Sequence, residues 1–182
     1  MDNNKVSDLG RFPRTDRPDP VSCGDFDIRI DRDGNWHYRG SLIKRPELVR
    51  LFVSALSRDE DGTYWLTTPA EKGRIQVDDV PFVAVAMTVS GKGRGQELQF
   101  HTNAGDAVTA DRSHPIRVAH DPETGMPTPY VTVRDRIEAR IARSVYYDLV
   151  ALGKEKSVAH EALFGVWSGR IFFPMGKLDT ES

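Results

Sequence analysis

Cysteine is nearly absent: Cys23 is the only one in 182 residues, which excludes an intrachain disulfide and any cysteine-based zinc cage. Long hydrophobic runs are missing too. The longest uncharged apolar stretch, Val80 to Val89, is interrupted by Pro81 and Thr88 and falls far short of the roughly 20 residues that span a bilayer. Met1 to Gly10 contain no apolar h-region, so no secretory signal is read and the chain is expected to be cytoplasmic. An excess of positive charge is also lacking: 25 Lys and Arg face 27 Asp and Glu, a net charge of −2 with no global attraction for polyanions. Neither a nucleic acid nor a membrane is expected as a partner.

Recognised catalytic motifs are absent as well. There is no Gly-x-Ser-x-Gly elbow, and Cys23 precedes Asp25 and Asp27, acids that raise rather than lower a thiol pKa. The tract Gly91 to Gly95 has no following Ser or Thr and leads into a strand, so it lacks the mechanics of a phosphate loop and reads as a hairpin tip or an inter-domain link. Of the five histidines, no two stand at the i, i+4 spacing of a helical metal site. His101, His114 and His120 with Asp111 or Asp121 are the remaining metal candidates, and solvated loop histidines are the ordinary reading. No catalytic residue, metal or cofactor is assigned.

What is present is a pattern of short strands. Hydrophobic residues at 38% and charged residues at 29% suit a globular chain. Residues 1 to 21, with Pro13, Pro18 and Pro20 among scattered charges, read as a mobile arm. Phe26, Ile28 and Ile30 alternate with charged residues, Trp36 and Tyr38 alternate across His37, and Asp33-Gly34 lies between, which predicts a β-hairpin. Asp31, Asp33 and Gly34 do not make a calcium loop, because the later ligands are missing. Pro46 opens a helix whose apolar face holds Leu48, Val49, Phe52, Val53, Ala55 and Leu56, with Glu47 and Arg50 opposite, and Asp59 to Gly62 end it.

Strands are predicted at Tyr64 to Thr67, Arg74 to Val77 and Phe82 to Val89, the last central and buried on both faces. Leu98 to Thr102, Ala107 to Thr109, Ile116 to Ala119 and Tyr130 to Val133 continue the pattern. A second helix is predicted over Asp135 to Leu152, and Phe164 to Pro174 as one final strand kinked at Gly169. The expected class is α+β: two small β-rich domains, 22–92 and 93–176, each with one amphipathic helix, followed by a tail at 177–182. Two units of this size would be marginal alone and must bury a shared interface.

Six segments carry a resemblance: Phe26-Asp27-Ile28, Asp33 to Trp36, Gly40 to Ile43, Arg45 to Val49, Thr102 to Asp106, and Gly165 to Gly169. As a set, spanning about residue 23 to residue 176, they resemble a bacterial family without assigned activity, number twelve eighty-five of the domains of unknown function. The resemblance implies two packed domains related by duplication, the C-terminal one loosely similar to pleckstrin-homology folds, with a ligand site at their interface. It also implies a signalling role with a nucleotide-like ligand, and supplies no catalytic residues.

On the expected second helix, Arg136, Arg140, Arg143 and Tyr147 fall on one stripe opposite the apolar face, and none of the three arginines has an acid at i±3 or i±4. Such a stripe is either a solvated face paired with acids elsewhere or an anion site, since guanidinium forks suit phosphate and carboxylate. Arg134 and Glu138, four apart, would form an ion pair near the apolar face or a less favoured part of the site. The expected function is a non-enzymatic ligand-binding or regulatory module taking a small anion between its domains. A protein-only adaptor, or an enzyme acting on a phosphorylated small molecule, ranks below it.

Overall fold

The structure is a computed structural model that describes residues 20–178, apart from the side chain of Cys23. The expected N-terminal arm and the end of the tail therefore lie almost wholly outside the described residues. Strand β1 (Val21–Ile30) turns into β2 (Trp36–Tyr38) and β3 (Ser41–Leu42), followed by helix α1 (Pro46–Ala55). A meander of β4 (Leu56–Arg58), β5 (Tyr64–Thr67) and β6 (Glu71–Val77) completes one six-stranded sheet of order β3-β2-β1-β6-β5-β4. The expected hairpin is present, with Ile30 opposite Trp36. Its turn is built on Asp31, whose carboxylate accepts the Asp33 and Asn35 N–H groups and the Asn35 amide, and lies 2.9 Å from His37 Nε2.

The second half opens with β7 (Phe82–Ser90), β8 (Glu97–Thr102), β9 (Ala107–Thr109), β10 (Ile116–His120), β11 (Pro127–Arg134) and β12 (Ile137–Ile141). They form a second six-stranded sheet of order β10-β11-β12-β7-β8-β9. Because β7 pairs with β8 and β12, the sheet boundary falls before Phe82 and not at the 92/93 division drawn from sequence. Gly91 to Gly95 form the β7–β8 hairpin tip. Helix α2 (Arg143–Ala151) then leads to a three-stranded antiparallel sheet of β13 (Lys154–Val158), β14 (Glu161–Ser168) and β15 (Ile171–Lys177). In each half a helix is thus followed by a three-stranded meander.

Three segments depart from the sequence reading. The expected helix over Asp135 to Leu152 is a strand followed by a shorter helix, because Ile137 and Ile141 satisfy both a helical and an alternating pattern. Burial of Ile137, Ala139 and Ile141 with Glu138 and Arg140 between them shows which period won. Parallel pairing of Ala139 with Phe82 and of Ile141 with Ala84 secures it. The kinked final strand is instead a tight hairpin: Gly169 (φ 55) and Arg170 (φ 65) are both left-handed, as a two-residue primed turn requires. Strand β4 begins at Leu56, which the apolar periodicity assigns to the helix.

Strand β7 is central as expected, but only Phe82 to Ala84 are enclosed. Beyond them β12 no longer pairs, and Val85 is 51% exposed. One buried cluster runs from Ile28, Ile30, Trp36 and Leu66 of the first domain to Phe82, Phe100, Val131 and Val166 of the second. Among the described residues no helix is long and apolar enough to cross a membrane.

Candidate functional site

A concavity of about 690 Å³ lies between the two domains. From the first come the Asp33–Trp36 turn, Leu42 to Lys44, and Pro46, Val49, Arg50 and Val53 on one side of α1. From the second come Phe82 and Val85 of β7 and the β8–β9 turn, Thr102 to Gly105. Residues from four of the six segments that carry the family resemblance thus line one cleft.

Asn103 fastens the two walls together. Its Oδ1 accepts the Val83 N–H at 3.0 Å and its amide donates to the Gly34 carbonyl at 3.2 Å across the domain boundary. The fit depends on glycine: Gly34 has φ +78, and a Cβ there would come within 2.4 Å of Asn103 Nδ2. The floor is apolar. Trp36 is 3% exposed and stacks on Phe52 with centroids 5.9 Å apart, while Leu42 and Val85 stand half-exposed at the mouth. Lys44 and Arg50 are exposed on the lining, and among the described residues neither has an ion pair or side-chain hydrogen bond. Partial burial pulls the Asp31 carboxyl upward, and the bonds from His37, Asn35 and Asp33 outweigh it, leaving its pKa at about 2.

The stripe expected from sequence is dispersed because its helix is not continuous. Arg136 sits in the β11–β12 turn with φ 55 and pairs with Glu60 at 3.0 Å. Arg140, on β12, donates to the Arg32 carbonyl and lies 3.8 Å from both Asp33 and Asp79, so it ties the domains together. Arg143 donates to the Tyr147 hydroxyl at 2.8 Å on α2. Arg140, Arg143 and Tyr147 do share a smaller concavity of about 290 Å³ with Met126 to Pro129, all of it lined by the second domain; Arg136 does not join them.

The expected Arg134–Glu138 pair does not form, since the two residues share no helix and each side chain is engaged elsewhere. Arg134 donates to the carbonyls of Val53 and Leu56 in the first domain, with its guanidinium 5.7 Å from the Phe82 ring centroid. Glu138 instead accepts hydrogen bonds from Nε and Nη2 of Arg117, at 2.6 and 2.7 Å, and this pairing raises the Arg117 pKa. Burial, then the Asp79 charge and the hydrogen bond to it, raise the Tyr130 pKa.

Of the metal candidates only His114 and Asp111 meet, 3.1 Å apart, while His101 bonds Thr88. Among the described residues no group of three or more metal-ligating side chains converges. Lys44, Arg50, Asn103 and Val85 were not anticipated as site residues. The sequence pattern puts Arg50 only on the polar face of α1, and no periodicity marks the other three.

The description "Domain of unknown function (DUF1285), N-terminal domain" matches residues 13–80, and "Protein of unknown function (DUF1285), C-terminal domain" matches residues 81–175. The crystal structure of a DUF1285 family protein from Silicibacter pomeroyi DSS-3 is 48% identical with a TM-score of 0.81, covering 88% of this chain and 85% of that one. A DUF1285 family protein from Shewanella baltica OS155, at 24% identity and a TM-score of 0.53 over 69% of this chain and 91% of that one, shares the fold. No functionally curated protein matches. The chain belongs to the DUF1285 family and carries both its N-terminal and its C-terminal domain.

Proposed function

We propose that this protein is a non-enzymatic ligand-binding module with a signalling role, which holds a small anion in the cleft between its two domains. The observation that carries the reading is that both domains build the cleft while Lys44 and Arg50 on its lining have no partner among the described residues. Concave sites favour domain interfaces, and a ligand touching both walls biases their relative placement toward whichever arrangement it binds better. Such a bias is how a module without chemistry of its own reports a metabolite. The duplication and the loose pleckstrin-homology likeness belong to the same proposal. The helix-then-meander order shared by the two halves supports the duplication, and the pleckstrin-homology likeness rests on the family resemblance alone.

A thermal-shift screen with inorganic phosphate, AMP, succinate and longer carboxylates tests it. A ligand at 100 times its dissociation constant stabilises the folded state by about 2.7 kcal/mol, several degrees in Tm for a chain of this size. The response should vanish in a Lys44→Gln/Arg50→Gln double variant. Loss of the response on Arg143→Gln instead would move the site to the smaller concavity of Arg140, Arg143 and Tyr147. Turnover of any phosphoester, abolished by one cleft substitution, would replace the reading with an enzymatic one.

A further inference from the structure

We infer that the cleft takes an anion carrying an aliphatic chain, a medium-chain carboxylate, and not a nucleotide. The inference rests on the proposal that the cleft is the ligand site, and it follows from what the walls offer. The apolar lining is aliphatic where solvent reaches it: Leu42 is 48% exposed and Val85 51%, one from each domain, and Val49 and Ile43 line the same cleft. An alkyl chain laid between them removes apolar surface from water on both sides.

A nucleobase finds no ring to stack on. Trp36 is 3% exposed with Phe52 against it, and Phe82 is fully buried. A phosphate finds no N–H cradle. In the first glycine turn the N–H groups of Asp33 and Asn35 are taken by the Asp31 carboxylate and that of Gly34 by the Asp31 carbonyl. In the second, the Asn103 N–H goes to the Val83 carbonyl and that of Gly105 to the Thr102 carbonyl, which among the described residues leaves the Ala104 N–H alone and not a cradle of several. Pro46 opens α1 without an N–H. Asp33, its side chain 84% exposed on the lining and paired with Arg140 only at 3.8 Å, adds negative charge that disfavours a multiply charged phosphate more than a singly charged carboxylate. What remains is one ammonium and one guanidinium, enough for a single carboxylate at the end of a chain.

Isothermal titration of the full chain with sodium octanoate below its micellar concentration, and with acetate, AMP and inorganic phosphate, tests the inference. Octanoate should bind with a negative heat-capacity change, and acetate should bind at least tenfold more weakly because it lacks the chain. Val85→Asp, at a half-exposed position, and Lys44→Gln/Arg50→Gln should each weaken octanoate at least tenfold while leaving the unliganded Tm within a few degrees. If AMP or phosphate binds, is lost in the double variant, and octanoate does not bind, the ligand class is wrong while the cleft stands. If octanoate binds equally well to all variants, or no probe binds, the inference is overturned together with the cleft assignment.

Discussion

Replacing Arg140 by alanine probes how the two domains hold each other. Its guanidinium donates to the Arg32 carbonyl, and a charged hydrogen bond of this kind contributes about 1.5–3 kcal/mol. The Asp33 pair, 3.8 Å apart with the acid 84% exposed, adds roughly 0.3 kcal/mol; the Asp79 pair, with the acid 23% exposed, adds roughly 1 kcal/mol. Against these stands Arg140 Nε, buried without a hydrogen-bond partner, whose removal relieves about 1 kcal/mol. The net expectation is a loss of about 2 kcal/mol, or a Tm lower by about 4–8 °C. Urea denaturation followed by tryptophan fluorescence and far-UV circular dichroism measures it. A double-mutant cycle with Asp79→Asn should return a coupling of about 1 kcal/mol. A loss below about 0.5 kcal/mol, or a coupling indistinguishable from zero, would refute the idea that Arg140 is an inter-domain tie.

Other perturbations follow from the same geometry. Gly34→Ala forces a left-handed residue and drives a methyl group into Asn103, so urea unfolding should show a loss of at least about 2 kcal/mol; a near-neutral result would mean the turn relaxes freely. Asn103→Ala removes both the Val83 and the Gly34 bonds and should cost about 2 kcal/mol, and it should raise amide exchange at Val83; unchanged exchange there would count against the bond. The Asp31 carboxyl is depressed to about 2, so its contribution is complete above pH 4 and is lost as pH falls from about 4 to about 2. Asp31→Asn should therefore be less stable than the parent at pH 6, with the gap closing by pH 2; a gap that stays constant would show that the carboxylate is not the cause.

Much of the architecture was legible because local chemistry and tertiary context agreed. The alternation around Ile28 and Ile30, the glycine at 34 and the proline at 46 each admit one reading, and the structure keeps them. The segment Ile137 to Ile141 was not legible, because isoleucines four apart with alanine between them fit a helix face and a strand face equally. The neighbour that decides, β7, lies more than fifty residues away in sequence. The arginine stripe was a product of that error, and its side chains found Glu60, Asp79 and Tyr147 instead. The cleft was half legible. Segments singled out for their resemblance line it, whereas Lys44 and Arg50 acquire meaning only once the β8–β9 turn is placed opposite them.

The parallel pairings of β1 with β6 and of β7 with β12 bear on the order of folding. Each joins the opening strand of a sheet to one made much later, Ile30 to Val77 and Phe82 to Ala139, so each loop must close before its central ladder is rewarded. During synthesis the first sheet cannot assemble until Val77 has left the ribosome, and β7 must then wait, apolar and unpaired on one side, for β12. That interval exposes Phe82 to Ala84 to solvent and to neighbouring chains. A nascent chain stopped before Ile137 would hold that edge of β7 without its partner strand, the kind of unpaired apolar edge on which aggregation starts.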